Sequence, residues 1–285
     1  MSRSDGQRVT ADQSTTTRTS VPVGDGDARL AVEITGTGPA VVWAHPLMGS
    51  MRSENQAGVF DWSGVDARLI RYDARSHGRS SCDPRPEHHR WEILAQDMLD
   101  VATATEAPTA IFGGGSMGAA TAIWAAHLAP ERVQGLVLAI PPTAWSARER
   151  QRRVYRVLGA AAATRLLLTL QLGLRLPRPR PQPATQAALA DAVVQEVSRQ
   201  RSTQLAPPLR GAAMSDLPPV EELVGIDVPT LILAWEGDRS HPLSVARQLE
   251  SSMPRAELDI AEGQDLGRWP SLVADFVAGV APTGD

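Results

Sequence analysis

Short apolar runs alternate with longer segments of helical spacing along most of the chain. Alternating apolar and polar residues predict a half-exposed strand at 29–34, and continuous apolar runs predict more deeply buried strands at 40–44 and 68–72. Further strands are predicted at 109–112, 134–140, 228–235 and 257–261, and helices at 91–105, 117–128, 243–251 and 270–280. Strands separated by helices in this way predict an α/β fold on a mostly parallel sheet.

The pattern changes between Pro141 and Ile226, where the strand signals stop. Helical spacing replaces them at 147–174 and 185–199, with a proline-rich connector at 176–183 between the two helices. We interpret a helical insertion between two strands as a lid over a site. The predicted parts are a disordered segment at 1–20, an α/β core at 21–141 and 228–285, and a helical lid at 142–227.

Composition narrows the class of protein. Of the 285 residues 42% are apolar, which is enough for a large core, and the net charge of -4 offers no attraction to nucleic acid. Residues 1–20 are almost free of apolar side chains, and the sequence lacks the stretch of about 20 apolar residues that a membrane span needs. We therefore expect a cytoplasmic protein that acts on a small molecule, with no nucleic acid or membrane partner. The oligomeric state stays open.

Missing residue types exclude several kinds of site. All 28 basic residues are Arg, so the chain has no Lys for a Schiff base. Cys82 is the single cysteine, which excludes an intramolecular disulfide and a cysteine-rich metal site. Gly113-Gly114-Gly115-Ser116 is followed by Met117 and not by the Lys of a phosphate-binding loop. We expect no cofactor and no metal.

A candidate nucleophile lies in the motif Gly114-Gly115-Ser116-Met117-Gly118, directly between a predicted strand and a predicted helix. A serine on so sharp a turn needs small neighbours, because the backbones of the strand and the helix approach closely. The free N–H groups that begin the helix would favour an oxyanion. A glycine-rich turn without chemistry and an anion-binding loop are the alternatives.

Other segments resemble the α/β-hydrolases, and they occur in the same order along the chain. They are His45-Pro46-Leu47-Met48-Gly49-Ser50, Tyr72-Asp73-Ala74-Arg75-Ser76-His77-Gly78-Arg79-Ser80, in which Ser76 replaces the usual Gly, and Ala129-Pro130-Glu131-Arg132-Val133. The resemblance covers about 29–140 and 228–281, leaves the lid unassigned, and points to the esterase and enol-lactonase group. It implies a mostly parallel twisted sheet with helices on both faces, Ser116 as nucleophile, and an oxyanion hole made by the N–H groups of Met117 and Leu47.

The same resemblance identifies an acid, but the family's histidine is missing from its usual place. Residues 228–238 resemble the strand that ends in the triad acid, here Asp238, for which helix capping is the alternative role; Glu236 is a weaker candidate. The family's histidine follows the last strand, and this chain has no His at 262–267 or later. Asp265 lies there instead and would be a poor base.

Six histidines are candidates to replace it. His45 and His77 lie in motifs where the fold keeps a structural His, His88 and His89 lie in a polar loop that we expect to be solvated, and His127 is nearly three helical turns from Ser116. His241 follows Asp238 by three residues, at the edge of the sheet where α/β folds bind ligands. We expect His241 to be the base, with a loop or cap histidine as the alternative.

The sequence therefore predicts a serine hydrolase that cleaves a small carboxylic ester, lactone or thioester through an acyl-enzyme on Ser116. Acyl transfer uses the same residues. The alternatives are a catalytically impaired protein that binds a small molecule under the lid, and a non-hydrolytic enzyme such as a lyase. Trp43 and Trp235 are expected to form an aromatic wall or to pack in the core. The lid arginines, namely Arg148, Arg150, Arg152, Arg153 and Arg156, are expected to meet an anion or to face solvent.

Overall fold

In the computed structural model, which describes residues 16–24, 26–163, 184–200, 202–238, 240–261 and 266–280, eight strands form one sheet. They are β1 (Thr17–Val23), β2 (Ala28–Thr35), β3 (Ala40–Ala44), β4 (Arg68–Tyr72), β5 (Ala110–Gly115), β6 (Val133–Ala139), β7 (Thr230–Trp235) and β8 (Ala256–Ala261). Their order is β1-β2-β4-β3-β5-β6-β7-β8. Since β2 is antiparallel to β1 and β4 and the other pairs are parallel, the predicted fold class is confirmed.

Helices cover both faces of this sheet. Within the described residues they are α1 (Met51–Ala57), α2 (Trp91–Ala104), α3 (Met117–Leu128), α4 (Arg148–Ala163), α5 (Ala184–Arg199), α6 (Ser202–Met214), α7 (Leu243–Ser252) and α8 (Trp269–Val280). One apolar cluster packs α2, α3 and α7 on the first face, and a second packs α8 on the other face. The inner strands β5 and β7 are buried along their whole length, as continuous apolar runs require.

The helices α4, α5 and α6 lie between β6 and β7 in the chain. They share a small apolar cluster that includes Ala162, Val197 and Leu209, and this cluster packs against Leu47 and Met48 of the core. Helix α4 is described as far as Ala163, so the rest of the helix predicted at 147–174 and the connector predicted at 176–183 lie outside the described residues. The domain boundaries stay a prediction.

Three elements differ from the sequence pattern. Residues 17–20, predicted to be disordered, form the first half of β1. Only Val21 and Val23 of this edge strand are buried. Its other residues face solvent and are mostly polar, so the composition is similar to that of a loop. Helix α1 is short and mostly exposed, and it is held by a capping box between Ser50 and Ser53. Helix α6 carries Pro207 and Pro208 inside it, which hides its helical pattern.

Candidate active site

Ser116 lies on the sharp turn between β5 and α3, with φ 52° and ψ -107°. A positive φ is strained for a residue with a side chain, so the surroundings must hold it. The Ser116 N–H donates to the Ala139 carbonyl at 2.9 Å, and the Ser116 carbonyl accepts from the Ala120 N–H at 3.0 Å. A Cβ atom on Gly114 or Gly118 would lie 2.4 Å or 2.0 Å from the Ala44 carbonyl oxygen. The predicted close approach of backbones is confirmed.

His241 and Asp238 meet Ser116 from the loop that follows β7. The Nε2 atom of His241 lies 2.8 Å from Ser116 Oγ, and its Nδ1 atom lies 2.7 Å from Asp238 Oδ2. The other oxygen, Oδ1, accepts from the backbone N–H groups of Ser240 at 2.7 Å and His241 at 3.3 Å. Asp238 therefore builds the turn that carries His241 and also orients its ring. In this arrangement His241 can take the Ser116 proton.

The hydrogen bonds of Asp238 favour its charged form. Burial raises the pKa of this carboxyl, but the His241 side chain and the two backbone N–H donors outweigh burial, so its pKa lies below the ordinary 3.8. The side chains of His241 and Asp238 are 19% and 20% exposed, which leaves them open to a substrate. The helix predicted near Leu243 is not capped by Asp238, since Pro242 holds the cap position. Glu236 is exposed.

The two backbone N–H groups predicted to form the oxyanion hole adjoin the turn and the loop after β3. The N–H of Met117 belongs to the first residue of α3, and the N–H of Leu47 follows Pro46 in the loop after β3. Neither donates a hydrogen bond to another described residue. Free donors at these two positions are what the predicted oxyanion hole needs.

The loop that carries Leu47 is held by two buried histidines. His45 Nδ1 lies 2.8 Å from the Pro46 carbonyl, and its Nε2 accepts from the Ala74 N–H at 3.0 Å. His77 Nε2 accepts from the Met48 N–H at 3.3 Å. Burial holds the pKa of His77 well below 6.5, so this ring is neutral and can accept. The structural role predicted for both histidines is confirmed.

A comparison with known protein families identifies the family of this chain. The sequence profile of the alpha/beta hydrolase family matches residues 35–280. The chain belongs to the alpha/beta hydrolase family. The resemblance seen in the sequence is therefore confirmed.

Named relatives of this alpha/beta hydrolase act on esters and lactones. It is 26% identical over 217 residues to 3-oxoadipate enol-lactonase 1 from Acinetobacter baylyi, covering 73% of this chain and 76% of that protein. It is 31% identical over 114 residues to the sn-1-specific diacylglycerol lipase ABHD11 from Mus musculus, but this match spans only 40% of the chain and 34% of the mouse protein. A thermophilic esterase from Thermogutta terrifontis has the same fold, with TM-score 0.74, 19% identity, and coverage of 93% of this chain and 99% of that one.

The remaining histidines of this hydrolase are placed away from Ser116. His89 was expected to be solvated, which is wrong: it is buried, with Nδ1 2.9 Å from the Arg85 carbonyl and Nε2 3.1 Å from Ser76 Oγ. Burial lowers the pKa of His89 to about 4. His88 is partly exposed and lies 2.9 Å from Asp83 Oδ2. His127 pairs with Glu222 at 3.3 Å, and Asp265 lies outside the described residues.

Ser76, where the family usually has Gly, explains why His89 is buried. Ser76 has φ 60°, a conformation that favours glycine. Its Oγ accepts from the Asp83 N–H at 2.9 Å and lies 3.2 Å from the Asp83 carbonyl as well as 3.1 Å from His89 Nε2. These hydrogen bonds offset the backbone strain at Ser76. The bond to Nε2 also holds the ring of His89 inside the protein.

The arginines of the insertion do not share one role. Arg148 is fully buried, contrary to the expectation of a solvated or anion-binding face. Its guanidinium carbon lies over the ring of Trp91, 4.2 Å from the ring centroid. Its guanidinium donates to the carbonyl and hydroxyl of Thr143 at 3.2 Å, and the Thr143 N–H donates to the Ser240 carbonyl at 3.2 Å. Arg148 thereby ties the insertion to the loop that carries His241. Arg152 pairs with Asp216 at 2.9 Å.

A small cavity lies on the face of the sheet that α8 covers, next to Gly115 and Pro46. It has a volume of about 20 Å³. Its lining residues are Pro46, Glu54, Ala57, Val59, Phe60, Gly115, Ile140, Trp235 and Trp269. Trp235 is 4% exposed and stacks on Trp269, and Trp43 is 1% exposed and packs on Phe60 and Trp62, so both tryptophans pack in the core, which was the alternative to an aromatic wall.

Glu54 is a carboxylate at this cavity that the sequence pattern missed. It lies on α1, a helix that was not predicted, and its carboxylate accepts from Trp43 Nε1 at 3.0 Å. The sequence did carry a signal for this helix. Ser50 and Ser53 form its capping box directly after the motif that resembles the oxyanion loop, and Glu54 is the next residue.

Other types of site are not seen in the described part of the chain. Within residues 16–280, apart from the gaps, no group of three or more His, Cys, Asp and Glu side chains could hold a metal ion. In the same part of the chain, no helix is both long enough and apolar enough to cross a membrane.

Proposed function

We propose that this alpha/beta hydrolase cleaves a small carboxylic ester, lactone or thioester through an acyl-enzyme on Ser116. One observation carries the proposal: a continuous hydrogen-bonded path from Ser116 Oγ to His241 Nε2 at 2.8 Å and from His241 Nδ1 to Asp238 Oδ2 at 2.7 Å. A serine hydroxyl is a weak nucleophile until such a base removes its proton. The relatives named above support the substrate class, because their names describe enzymes that act on esters and lactones.

Acylation proceeds in two steps. Ser116 Oγ attacks the substrate carbonyl carbon while His241 Nε2 takes the hydroxyl proton, and the carbonyl electrons move to the oxygen. The N–H groups of Leu47 and Met117 hold this oxyanion. When the carbonyl re-forms, the bond to the leaving oxygen or sulfur breaks, and His241 returns its proton to the leaving group. Asp238 stabilises the imidazolium that exists between the two steps.

Deacylation repeats the same chemistry with water. His241 takes a proton from the water, whose oxygen attacks the acyl carbon, and the Ser116–acyl bond breaks as Oγ recovers its proton. An alcohol or amine in place of water would give acyl transfer by the same route. The products of hydrolysis are one carboxylic acid and one alcohol or thiol, joined in a hydroxy acid when the substrate is a lactone.

We propose that α4, α5 and α6 act as the lid over this site. Their shared apolar cluster packs on Leu47 and Met48, which belong to the loop of the proposed oxyanion hole. Arg148 connects the same helices to the loop of His241 through Thr143. A substrate that enters beneath these helices would therefore meet both halves of the machinery. The cytoplasmic location predicted from the sequence stays a prediction.

The alternative, an impaired hydrolase-fold protein that only binds a small molecule, was motivated by the histidine missing after β8. The 2.8 Å contact of His241 with Ser116 favours the hydrolase, because a base is present in reach of the nucleophile.

The test is turnover of a series of 4-nitrophenyl esters from acetate to octanoate, with δ-valerolactone as the lactone, by wild type and Ser116→Ala. We expect hydrolysis that falls as the acyl chain lengthens, because the cavity lined by Gly115 and Pro46, the residues that precede Ser116 and Leu47, holds about 20 Å³. Loss of the nucleophile should reduce kcat by about 10⁴-fold or more. Equal rates for the two proteins, with unchanged folding by circular dichroism, would contradict the proposal.

A further inference from the structure

The base of the proposed mechanism lies on a loop that needs support from elsewhere in the fold. His241 and Asp238 belong to the loop between β7 and α7. Inside this loop, Asp238 Oδ1 accepts from the N–H groups of Ser240 and His241. These bonds shape the turn, but they do not fix where it lies relative to Ser116, because both partners move with the loop.

A second segment at the same edge of the sheet supplies a fixed point. Among the described residues outside the loop and the helix that follows it, Thr143 is the one whose backbone bonds to the backbone of the loop. Its N–H donates to the Ser240 carbonyl at 3.2 Å. Thr143 is buried and follows β6 by four residues. The position of Ser240, and with it that of His241, therefore depends on where Thr143 lies.

Thr143 is held in turn by Arg148, the first residue of α4. Arg148 Nη1 donates to the carbonyl and the hydroxyl of Thr143, both at 3.2 Å. Its Nε and Nη2 donate to the carbonyls of Ser215 and Ala212, at 3.1 Å and 2.5 Å, at the C-terminal end of α6. One planar guanidinium thus bridges the segment after β6 and the end of α6, a geometry that the single ammonium of a Lys does not reproduce.

Ion pairing does not explain why this buried residue carries a charge. Asp216, the carboxylate beside Ser215, pairs with Arg152 at 2.9 Å. The guanidinium of Arg148 instead lies over the rings of Trp91 at 4.2 Å and Tyr155 at 5.4 Å. Burial lowers its pKa, although a guanidinium still stays protonated at neutral pH. A buried charge costs stability that an apolar side chain in the same place would not cost, which favours a role in placing other groups.

We propose that Arg148 is a positioning residue for His241. Through the backbone of Thr143 and Ser240, it keeps the imidazole within hydrogen-bond reach of the nucleophile. The packing of α4 on α6 and the placement of the base then depend on the same side chain. This role rests on the proposed function, in which His241 is the base. The competing explanation is that Arg148 only packs α4 against α6.

Arg148→Met separates the two explanations, because a Met side chain fills part of the same space but donates no hydrogen bond. Arg152→Met is the matched control. Arg152 lies one turn further along α4 and joins this helix to Asp216, the residue after Ser215, so its loss weakens the same packing without touching the bridge to Thr143. The measurement is kcat and KM for 4-nitrophenyl acetate, with folding checked by circular dichroism.

We expect Arg148→Met to lower kcat by about 10²-fold and to leave KM nearly unchanged, since the base acts in acylation and in deacylation but does not bind the substrate. Arg152→Met should keep kcat within about threefold of wild type, because its ion pair is partly exposed. If Arg148→Met fails to fold, Arg148→Lys keeps the charge without the full bridge, and a kcat about tenfold below wild type is expected.

The outcomes separate this inference from the proposed function. If kcat is the same in Arg148→Met and Arg152→Met, or if only KM rises in Arg148→Met, the positioning role is overturned and the Ser116 hydrolase stays intact. A wild-type kcat in Arg148→Lys would overturn the role as well. Turnover that persists in Ser116→Ala would contradict the proposed function itself, and a wild-type kcat in His241→Ala would show that Arg148 has no base to position.

Discussion

Replacing Asp238 by Asn tests how one carboxylate serves both the turn and the ring of His241. Oδ1 accepts the backbone N–H groups of Ser240 and His241, and Oδ2 accepts from His241 Nδ1 at 2.7 Å. The amide oxygen of Asn can keep both backbone bonds. Its NH₂ group would then face Nδ1, so Nδ1 becomes the acceptor and the ring proton moves to Nε2. A protonated Nε2 points its hydrogen at Ser116 Oγ and cannot act as base.

The expected loss follows from this change of tautomer. In serine proteases the same substitution lowers kcat by about 10⁴, which corresponds to about 5 kcal/mol of transition-state stabilisation. The free energy of unfolding should change by less than about 1.5 kcal/mol, because the turn keeps its two backbone bonds and the amide still bonds the ring. A large loss of rate with a small loss of stability is the expected signature.

The assay is kcat for the 4-nitrophenyl ester that wild type hydrolyses best, measured beside thermal unfolding. Asp238→Ala is the control: it should lose a similar factor in kcat and also lower Tm further, since the turn at Ser240 loses its acceptor. An Asn variant that keeps more than a tenth of the wild-type kcat would refute this account of Asp238.

Two further predictions concern the scaffold. Gly118→Ala places a Cβ 2.0 Å from the Ala44 carbonyl and should lower the free energy of unfolding by about 2 kcal/mol or more; a loss below about 0.5 kcal/mol in urea titration would show that the turn can relax. Since the pKa of folded His89 is about 4 and that of the unfolded side chain about 6.5, protonation favours the unfolded chain. Between pH 6.5 and pH 4 wild type should therefore lose about 3 kcal/mol relative to His89→Gln, and a pH-independent difference would contradict this.

Much of the core could be predicted because its constraints are local. The apolar runs of β3 and β4 and the small residues around Ser116 place those elements at the predicted residues. The pairing of Asp238 with His241 was also predictable, because three residues separate them on one turn that leaves the sheet edge. The contact of His241 with Ser116 follows from the same edge, since β5 and β7 both end there.

What the pattern missed depends on contacts between distant residues. His89 is buried by Ser76 and by helix α6. Arg148 is buried by Trp91 and Thr143. Both side chains have polar neighbours in the sequence, so their burial cannot be deduced from the sequence around them. Glu54 is similar: its carboxylate becomes part of a cavity only when β7 and α8 bring their tryptophans to α1.

The central claim, an activated serine with His241 as its base, is tested most directly by a fluorophosphonate probe and intact mass. Wild type should gain the mass of one probe, while Ser116→Ala and His241→Ala should stay unlabelled over the same time. Labelling of His241→Ala at the wild-type rate would show that another residue activates Ser116. Absence of labelling in the wild type, under conditions that label a known serine esterase, would contradict the claim.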